Sequence, residues 1–276
     1  MKFGGTSVGD VAAFERVFHI VSTQIEKHPV VVVSAMTKVT DALLNAFETA
    51  KKGDFAGAFT SLEPHFERHV AVSQHFIPGG APNAFSGELE FARGELSDLL
   101  MRVSRRSLPL SMLKDAIVSY GEQLSSRLLA EVLKAKGINA RQMDSRRLIV
   151  TDDEYGAAQP IWDETKELVQ VELQPLIAAG EVPVMGGFIA ASRGGETTTL
   201  GRGGSDYSAA LVAAALGASE LQIWTDVTGV MTCDPRICAE ARTIPVLSYE
   251  EAAELAYFGA KVLHPKTIKP AVDHAI

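Results

Sequence analysis

Three stretches of the chain place glycines beside cations and carboxylates. Lys2-Phe3-Gly4-Gly5-Thr6-Ser7-Val8 reads as a strand end, a double-glycine turn and then a helix from about Val11 to Gln24. Glycine lets the backbone approach a phosphate, and a helix start presents unpaired N–H groups to an anion. Lys2 beside that turn would neutralise charge building on a transferred phosphoryl group. Taken alone, the segment also fits a tight strand-to-helix turn with an exposed lysine. It is not a Walker A loop, because no Lys-Ser or Lys-Thr follows the glycines.

A second glycine-rich stretch, Thr197-Thr198-Thr199-Leu200-Gly201-Arg202-Gly203-Gly204-Ser205-Asp206, precedes an Ala/Leu-rich helical run from Tyr207 to Leu216. An arginine flanked by glycines has room to grip a carboxylate or phosphate bidentately. Asp206 either caps the helix or orients a lysine or ammonium. The third stretch, Trp224 to Arg236, leaves a strand and turns at Gly229, offering Asp226, Asp234, several hydroxyls and Arg236. Asp-Pro by itself is a common turn.

Other polar residues carry plainer readings. His65 and His69 lie four apart, with His75 beyond, so one helix face could meet a metal. No carboxylate accompanies them, and a polar helix face explains them equally. His264, between Leu263 and Pro265, reads as a structural hydrogen-bonder. Glu122, read as opening a helix, would favour the helix dipole without any ligand. Cys233, within the third stretch, and Cys238, just beyond it, read as packing residues or spectators, their spacing being wrong for a zinc knuckle.

These stretches need a scaffold, and short β-branched runs supply it. Val30 to Val33, Leu148 to Val150, Val182 to Met185 and Leu221 to Trp224 alternate with helical patterns. That rhythm predicts a mostly parallel sheet with helices on both faces. Several of the strands run into a Gly, Ser or Asp, at the carboxyl ends where parallel sheets place ligands. Between about Asp41 and Lys136 no strand pattern interrupts. Phe55, Phe59, Leu62, Phe66 and Val70 recur at helical spacing, as do Leu124, Leu128, Val132 and Leu133, predicting a helical insertion that contributes core. Pro78 to Pro82 is read as a loop between its helices.

Composition narrows the function classes. A chain of 276 residues that is 46% hydrophobic and 22% charged can bury a large core. A formal charge of -8 disfavours a nucleic-acid partner. Two cysteines are too few for a disulfide framework and suit a reducing compartment. No secretory signal or membrane-length apolar run is present, so a cytoplasmic location and no membrane partner are expected.

Taken together, the motifs resemble the aspartate kinases of the amino-acid kinase superfamily. Lys2 to Val8 is similar to the opening signature, Ser119-Tyr120-Gly121-Glu122 to a helix motif, and Thr199 to Tyr207 to the central loop. Trp224 to Arg236 is similar to the nucleotide segment, and Phe258-Gly259-Ala260-Lys261-Val262-Leu263-His264-Pro265 to the last motif. The five stay collinear over essentially the whole chain. The long helical region most resembles the lysine-sensitive, single-function branch.

The resemblance implies a three-layer αβα sandwich of the amino-acid kinase fold, with an aspartate-binding lobe over about 1–190 and a nucleotide-binding lobe over about 191–276. It implies ATP and Mg2+ as cofactors, L-aspartate as acceptor, 4-phospho-L-aspartate as product, and a place at the start of lysine, threonine and methionine synthesis. Lys2 and Asp206 would be catalytic. Lys2 would bridge the phosphates and Asp206 would hold Lys2 or the substrate. Ser34, Thr40, Glu122, Arg202 and Ser205 would bind aspartate, with Glu122 on the ammonium and Arg202 on the α-carboxylate. Gly4, Gly5, Thr6, Thr225, Asp226, Met231, Asp234, Arg236 and Lys261 would serve the nucleotide and its phosphates, Met231 standing where a Tyr is frequent. No residue is expected as a protein metal ligand. The resemblance allows a homodimer, and paired ACT domains are expected to be absent from this chain. Against it stand another acid or nucleotide kinase on the same fold, which needs a different carboxylate clamp, and a non-catalytic module, which predicts decay at Lys2, Asp206 or Lys261.

Overall fold

The three valines of β2 (Val31–Val33) divide between two cores: Val31 and Val33 enter one, Val32 the other. Successive side chains of a strand point to opposite faces, so an unbroken apolar run can be buried only when both faces are covered. β5 (Val182–Gly186) repeats the division, with Val182 and Val184 on one side and Met185 on the other.

The computed structural model describes residues 1–77, 84–234, 237–238, 240–257 and 265–276. β1 (Lys2–Phe3), β2, β3 (Ala140–Met143), β5 and β8 (Ile223–Trp224) form one five-stranded sheet in the order β3-β5-β2-β1-β8. Every pairing in it is parallel, as the rhythm of the sequence predicts. A second sheet of three strands joins β4 (Val150–Thr151) to β6 (Ile189–Ser192) in parallel, and β6 to β7 (Thr197–Thr199) as a hairpin.

One face of the main sheet carries α1 (Val11–Ser22), α2 (Val39–Lys51) and the helices of the insertion. These are α3 (Phe55–Thr60), α4 (Glu63–Phe76), α5 (Ala84–Arg105) and α6 (Leu110–Ala135). The other face carries α7 (Trp162–Ala178) and α8 (Gly204–Leu216), with Val169, Leu173, Leu211, Val212 and Ala215 inward. α9 (Tyr249–Tyr257) and α10 (Pro265–Asp273) follow, and α10 packs on α8. Helices on both faces of a mostly parallel sheet are the expected architecture. No helix among the described residues is long and apolar enough to cross a membrane.

The insertion is helical as expected, and Leu124, Leu128, Val132 and Leu133 are all buried on α6. The Phe55 stripe is less regular than its spacing suggests. Leu62 and Phe66 are buried, Phe55 and Phe59 only partly, and Val70 is exposed. The run is two helices, and the break at Ser61–Leu62 shifts the phase between them. The Pro78 to Pro82 loop lies outside the described residues.

Two strand expectations require correction. Leu148 and Ile149 are buried but not extended: they follow a short helical turn over Ser145–Arg147, where the Asp144 carboxylate accepts from the Arg146 amide. The extended residues are Val150 and Thr151, and they join the second sheet. Thr197 to Thr199 is the strand β7 rather than the start of a glycine-rich loop. Buried Asp115 of α6 holds it there, accepting from the Thr199 and Gly156 amides at 2.8 Å each. Burial pushes the Asp115 pKa upward, although both amide hydrogen bonds oppose the shift.

Candidate active site at the carboxyl ends of the strands

β1 and β2 end side by side at Gly4 and Ser34, where a cleft of about 430 Å³ opens. Lys2, Gly5, Ser34, Thr40, Glu122, Ser205 and Asp206 line it. These residues come from two strand ends, α2, α6 and α8, and the sheet order brings them together.

Lys2 is largely buried, and its Nζ lies 2.8 Å from Asp206 Oδ1. The contact is a close ion pair. Asp206 does not cap α8. That helix begins at Gly204 after Gly203, whose φ of 72 is left-handed, and Asp206 stands within its first turn. Of the two roles open to Asp206, the geometry selects the one toward a lysine.

Glu122 does not begin a helix. It sits inside α6, is only 3% exposed, and its Oε1 accepts from the Ala35 amide at 3.1 Å. Oε2 is enclosed with no partner. Burial pushes its pKa up to about 8, although the hydrogen bond from Ala35 opposes this. One turn on, Ser125 Oγ donates to Ser34 O at 2.8 Å. α6 thus fixes the β2–α2 loop at two consecutive residues. Gly121 permits the approach, since a Cβ there would lie 2.7 Å from Ala35 Cβ.

The anion reading of α1 is corrected. A one-turn 3-10 helix over Gly5–Val8 separates α1 from the double glycine, and the Asp10 carboxylate accepts from the Ala13 amide at its start. A backbone contact from this segment to an anion would therefore come from Gly4-Gly5-Thr6 and not from the first turn of α1. A side chain at Gly5 is excluded, because its Cβ would lie 2.8 Å from Ala35 O.

Sequence reasoning missed several groups of the wall. Thr37, Lys38, Asp41 and Phe188 also line the cleft. Lys38 and Phe188 have left-handed backbones, with φ of 67 in each. Such strain in non-glycine residues concentrates at functional sites, but no local sequence signal announces it. Ser208 Oγ accepts from the Phe188 amide at 2.9 Å and helps hold that turn.

A buried carboxyl with a free oxygen can receive an ammonium, Lys2 can face an anion, and the hydroxyls can accept or donate around it. The family comparison agrees with that chemistry: the model described as "Amino acid kinase family" matches residues 1–276. The chain belongs to the amino acid kinase family.

Within that family, it is 39% identical to lysine-sensitive aspartokinase 3 of Escherichia coli, over 98% of this chain and 58% of that protein. It is 38% identical to chloroplastic aspartokinase 1 of Arabidopsis thaliana, over 100% of this chain and 48% of that protein. The chain thus spans about half to three fifths of the length of these curated relatives. The structure of E. coli aspartokinase III in complex with aspartate and ADP superposes with a TM-score of 0.89 at 38% identity, covering 99% of this chain and 59% of that one.

The remaining residues expected from the family motifs are dispersed. Arg202 is exposed beside the cleft and makes no ion pair with a described residue. Gly4 follows β1, and its amide donates to Trp224 O at 3.2 Å, so the segment after β8 starts next to the glycine turn. Thr6 is exposed, as are Thr225 and Asp226, whose side chains bond to each other at 3.1 Å. Met231 is half-buried in a bridge to Thr243, and Asp234 O accepts from the Ile237 and Cys238 amides. Thr225, Asp226, Met231 and Asp234 do not line the 430 Å³ cleft. Arg236, Lys261 and the motif from Phe258 to His264 lie outside the described residues.

The histidine reading resolves toward structure. His69 is buried, its Nδ1 lies 2.7 Å from His65 O, and its ring stacks on Phe85. Burial lowers its pKa to about 4. Among the described residues no group of three His, Cys, Asp or Glu could hold a metal.

Proposed function

We propose that this chain is the catalytic portion of an aspartate kinase, transferring the γ-phosphoryl group of ATP to the β-carboxylate of L-aspartate. The observation that carries this reading is the pairing in one cleft of an ammonium-ready carboxyl, Glu122 with its unpartnered Oε2, and the Lys2–Asp206 pair. The E. coli relative whose structure is described with aspartate and ADP shares the fold over nearly all of this chain.

The nucleophile is already a carboxylate at neutral pH, so no general base is required. Rate enhancement then comes from alignment and charge neutralisation. Glu122 would take the aspartate ammonium, which resolves its isolated burial by supplying the missing counter-charge. Ser34, Thr40 and Ser205 would place the acceptor, and Arg202 would close on the α-carboxylate. Lys2, held by Asp206, would bridge the phosphates as charge moves onto the leaving oxygen, with the Gly4 and Gly5 backbone against the transferred group. Thr6, Thr225, Asp226, Met231, Asp234, Arg236 and Lys261 would form the nucleotide side. The aspartate lobe would cover about 1–190 and the nucleotide lobe about 191–276. Magnesium, held largely by phosphate oxygens and water, would enter on the triphosphate. The product, an acyl phosphate, would enter the synthesis of lysine, threonine and methionine.

The test is ADP release with ATP and magnesium against L-aspartate, L-glutamate, N-acetyl-L-glutamate and UMP, with hydroxylamine trapping any acyl phosphate. Aspartate-dependent hydroxamate is the expected result. Turnover with a different acceptor, and none with aspartate, would sink the substrate assignment.

A further inference from the structure

Arg68 does not line the cleft, yet it reaches the wall of it. Its Nη2 donates to Thr37 O at 2.6 Å from α4, in the helical insertion. Thr37 Oγ1 in turn donates to Gly5 O at 2.8 Å. Two hydrogen bonds thus run from the insertion to the glycine turn, with Thr37 as the only intermediate.

The bonded carbonyl occupies a sensitive position. The Thr37–Lys38 peptide leads directly into the left-handed Lys38, and α2 starts at Val39 with no side-chain cap. A conformation disfavoured for a lysine persists only where the surroundings hold it. The guanidinium fixes that peptide plane, and through it the start of α2, where Thr40 and Asp41 face the cleft. The second bond orients the Gly5 carbonyl, and hence the amide of Thr6 on the same peptide plane.

Arg68 is committed to this contact at some cost. Its Nε is enclosed without a partner, and burial lowers the pKa of the guanidinium, with nearby Asp10 partly opposing the shift. A surface arginine serving solubility would avoid both conditions.

We propose that Arg68 is a positioning residue for phosphoryl transfer: acting through Thr37, it holds the Thr37–Asp41 wall and the Gly5 turn in the register that Lys2 requires. This rests on the kinase reading above. It assigns the helical insertion a part in the reaction as well as in the core.

The test compares Arg68→Ala and Arg68→Lys with the parent chain in two measurements. In steady-state kinetics, Arg68→Ala is expected to lower kcat by roughly tenfold to a hundredfold, the scale of a small misplacement of reacting groups. The loss should fall on kcat more than on KM for ATP, since the Thr225 to Asp234 segment is untouched. Added guanidinium should restore part of kcat to Arg68→Ala, and Arg68→Lys should fall between. Unchanged kcat, or a loss that guanidinium does not relieve, would overturn the proposal.

Amide hydrogen exchange needs no turnover and separates this inference from the kinase reading. Arg68→Ala should exchange faster at residues 37–41 while α4 keeps the protection of the parent. Equal exchange at 37–41 would overturn the positioning role whatever the chain phosphorylates. Loss of protection throughout α4 would show a merely structural residue and overturn it as well.

Discussion

Lys2, which opens β1, and Asp206 in the first turn of α8 meet at 2.8 Å, and both are largely withdrawn from solvent. Their segments are far apart in the chain, so the pair forms only when the sheet and α8 dock. Opposite charge at this range fixes where the lysine ammonium lies before any ligand arrives. Lys2→Ala is expected to lower turnover by roughly 10²-fold or more, the scale for losing an electrostatic donor to a transition state. Asp206→Asn, which leaves the ammonium unanchored, should cost less. Single-turnover rates on both variants, with circular dichroism to confirm the fold, provide the check. Parent-like turnover in Lys2→Ala would remove it from the reaction.

Glu122 predicts a pH dependence with a definite sign. Burial holds its folded pKa at about 8 against the ordinary carboxyl value of 4.5. The folded state therefore binds the proton more tightly, and its stabilising contribution is full below the unfolded pKa. It is lost as pH rises through about 8. Thermal midpoints of the unliganded chain should fall between about pH 5 and about pH 8, and Glu122→Gln should flatten that decline.

The same group links aspartate affinity to pH. Binding an ammonium requires Glu122 to lose its proton, so affinity should rise with pH until the carboxyl ionises near 8. Calorimetry at several pH values would show proton release on binding in the parent and none in Glu122→Gln. A pH-independent affinity in the parent would place the ammonium elsewhere.

Arg202 separates binding from stability. It is exposed and unpaired with any described residue, so Arg202→Lys should leave the unfolding midpoint within error. It should weaken apparent aspartate affinity by about 1 to 3 kcal/mol, the range for losing a charge-assisted bidentate contact. Isothermal titration of both proteins with aspartate reads this directly, and equal affinities would remove Arg202 from the clamp.

Gly121 tests the packing behind the site. A methyl there would lie 2.7 Å from Ala35 Cβ, too close for either helix or loop to remain in place. Gly121→Ala should destabilise by about 1 to 3 kcal/mol, as overpacking in a core does. Because Ala35 also supplies the amide that bonds Glu122, aspartate binding should weaken with it. Denaturant unfolding with a wild-type midpoint would show that the interface yields without cost.

The layer order of this protein could be read from its sequence because burial leaves a periodic trace. Val30 to Val33 and Val182 to Met185 are apolar without alternation, the mark of a strand covered on both faces, and α6 repeats its leucines at helical spacing. The edge strand β3 left no such trace. Arg141 in its middle is exposed and pairs with Glu181, so its sequence is half polar. Leu148 and Ile149 left a misleading one, since burial in a turn and burial in a strand demand the same residue types.

Lys2, Arg202 and Asp206 could be nominated from sequence because glycines beside charges are locally visible, whereas Glu122 is nominated only by the resemblance of Ser119-Tyr120-Gly121-Glu122 to a family motif. Their relations could not. Whether Asp206 caps a helix or meets a lysine, and whether Glu122 begins a helix or lies buried within one, depends on contacts between segments far apart in the chain. The left-handed Lys38 and Phe188, and the reach of Arg68 to Thr37, follow from docking that no local pattern encodes. The sequence by itself determined which chemistry could be assembled and on what kind of sheet. Only the tertiary structure decided which charges are paired and which oxygen is left without a partner, because ion pairs and burial are set by distances in space.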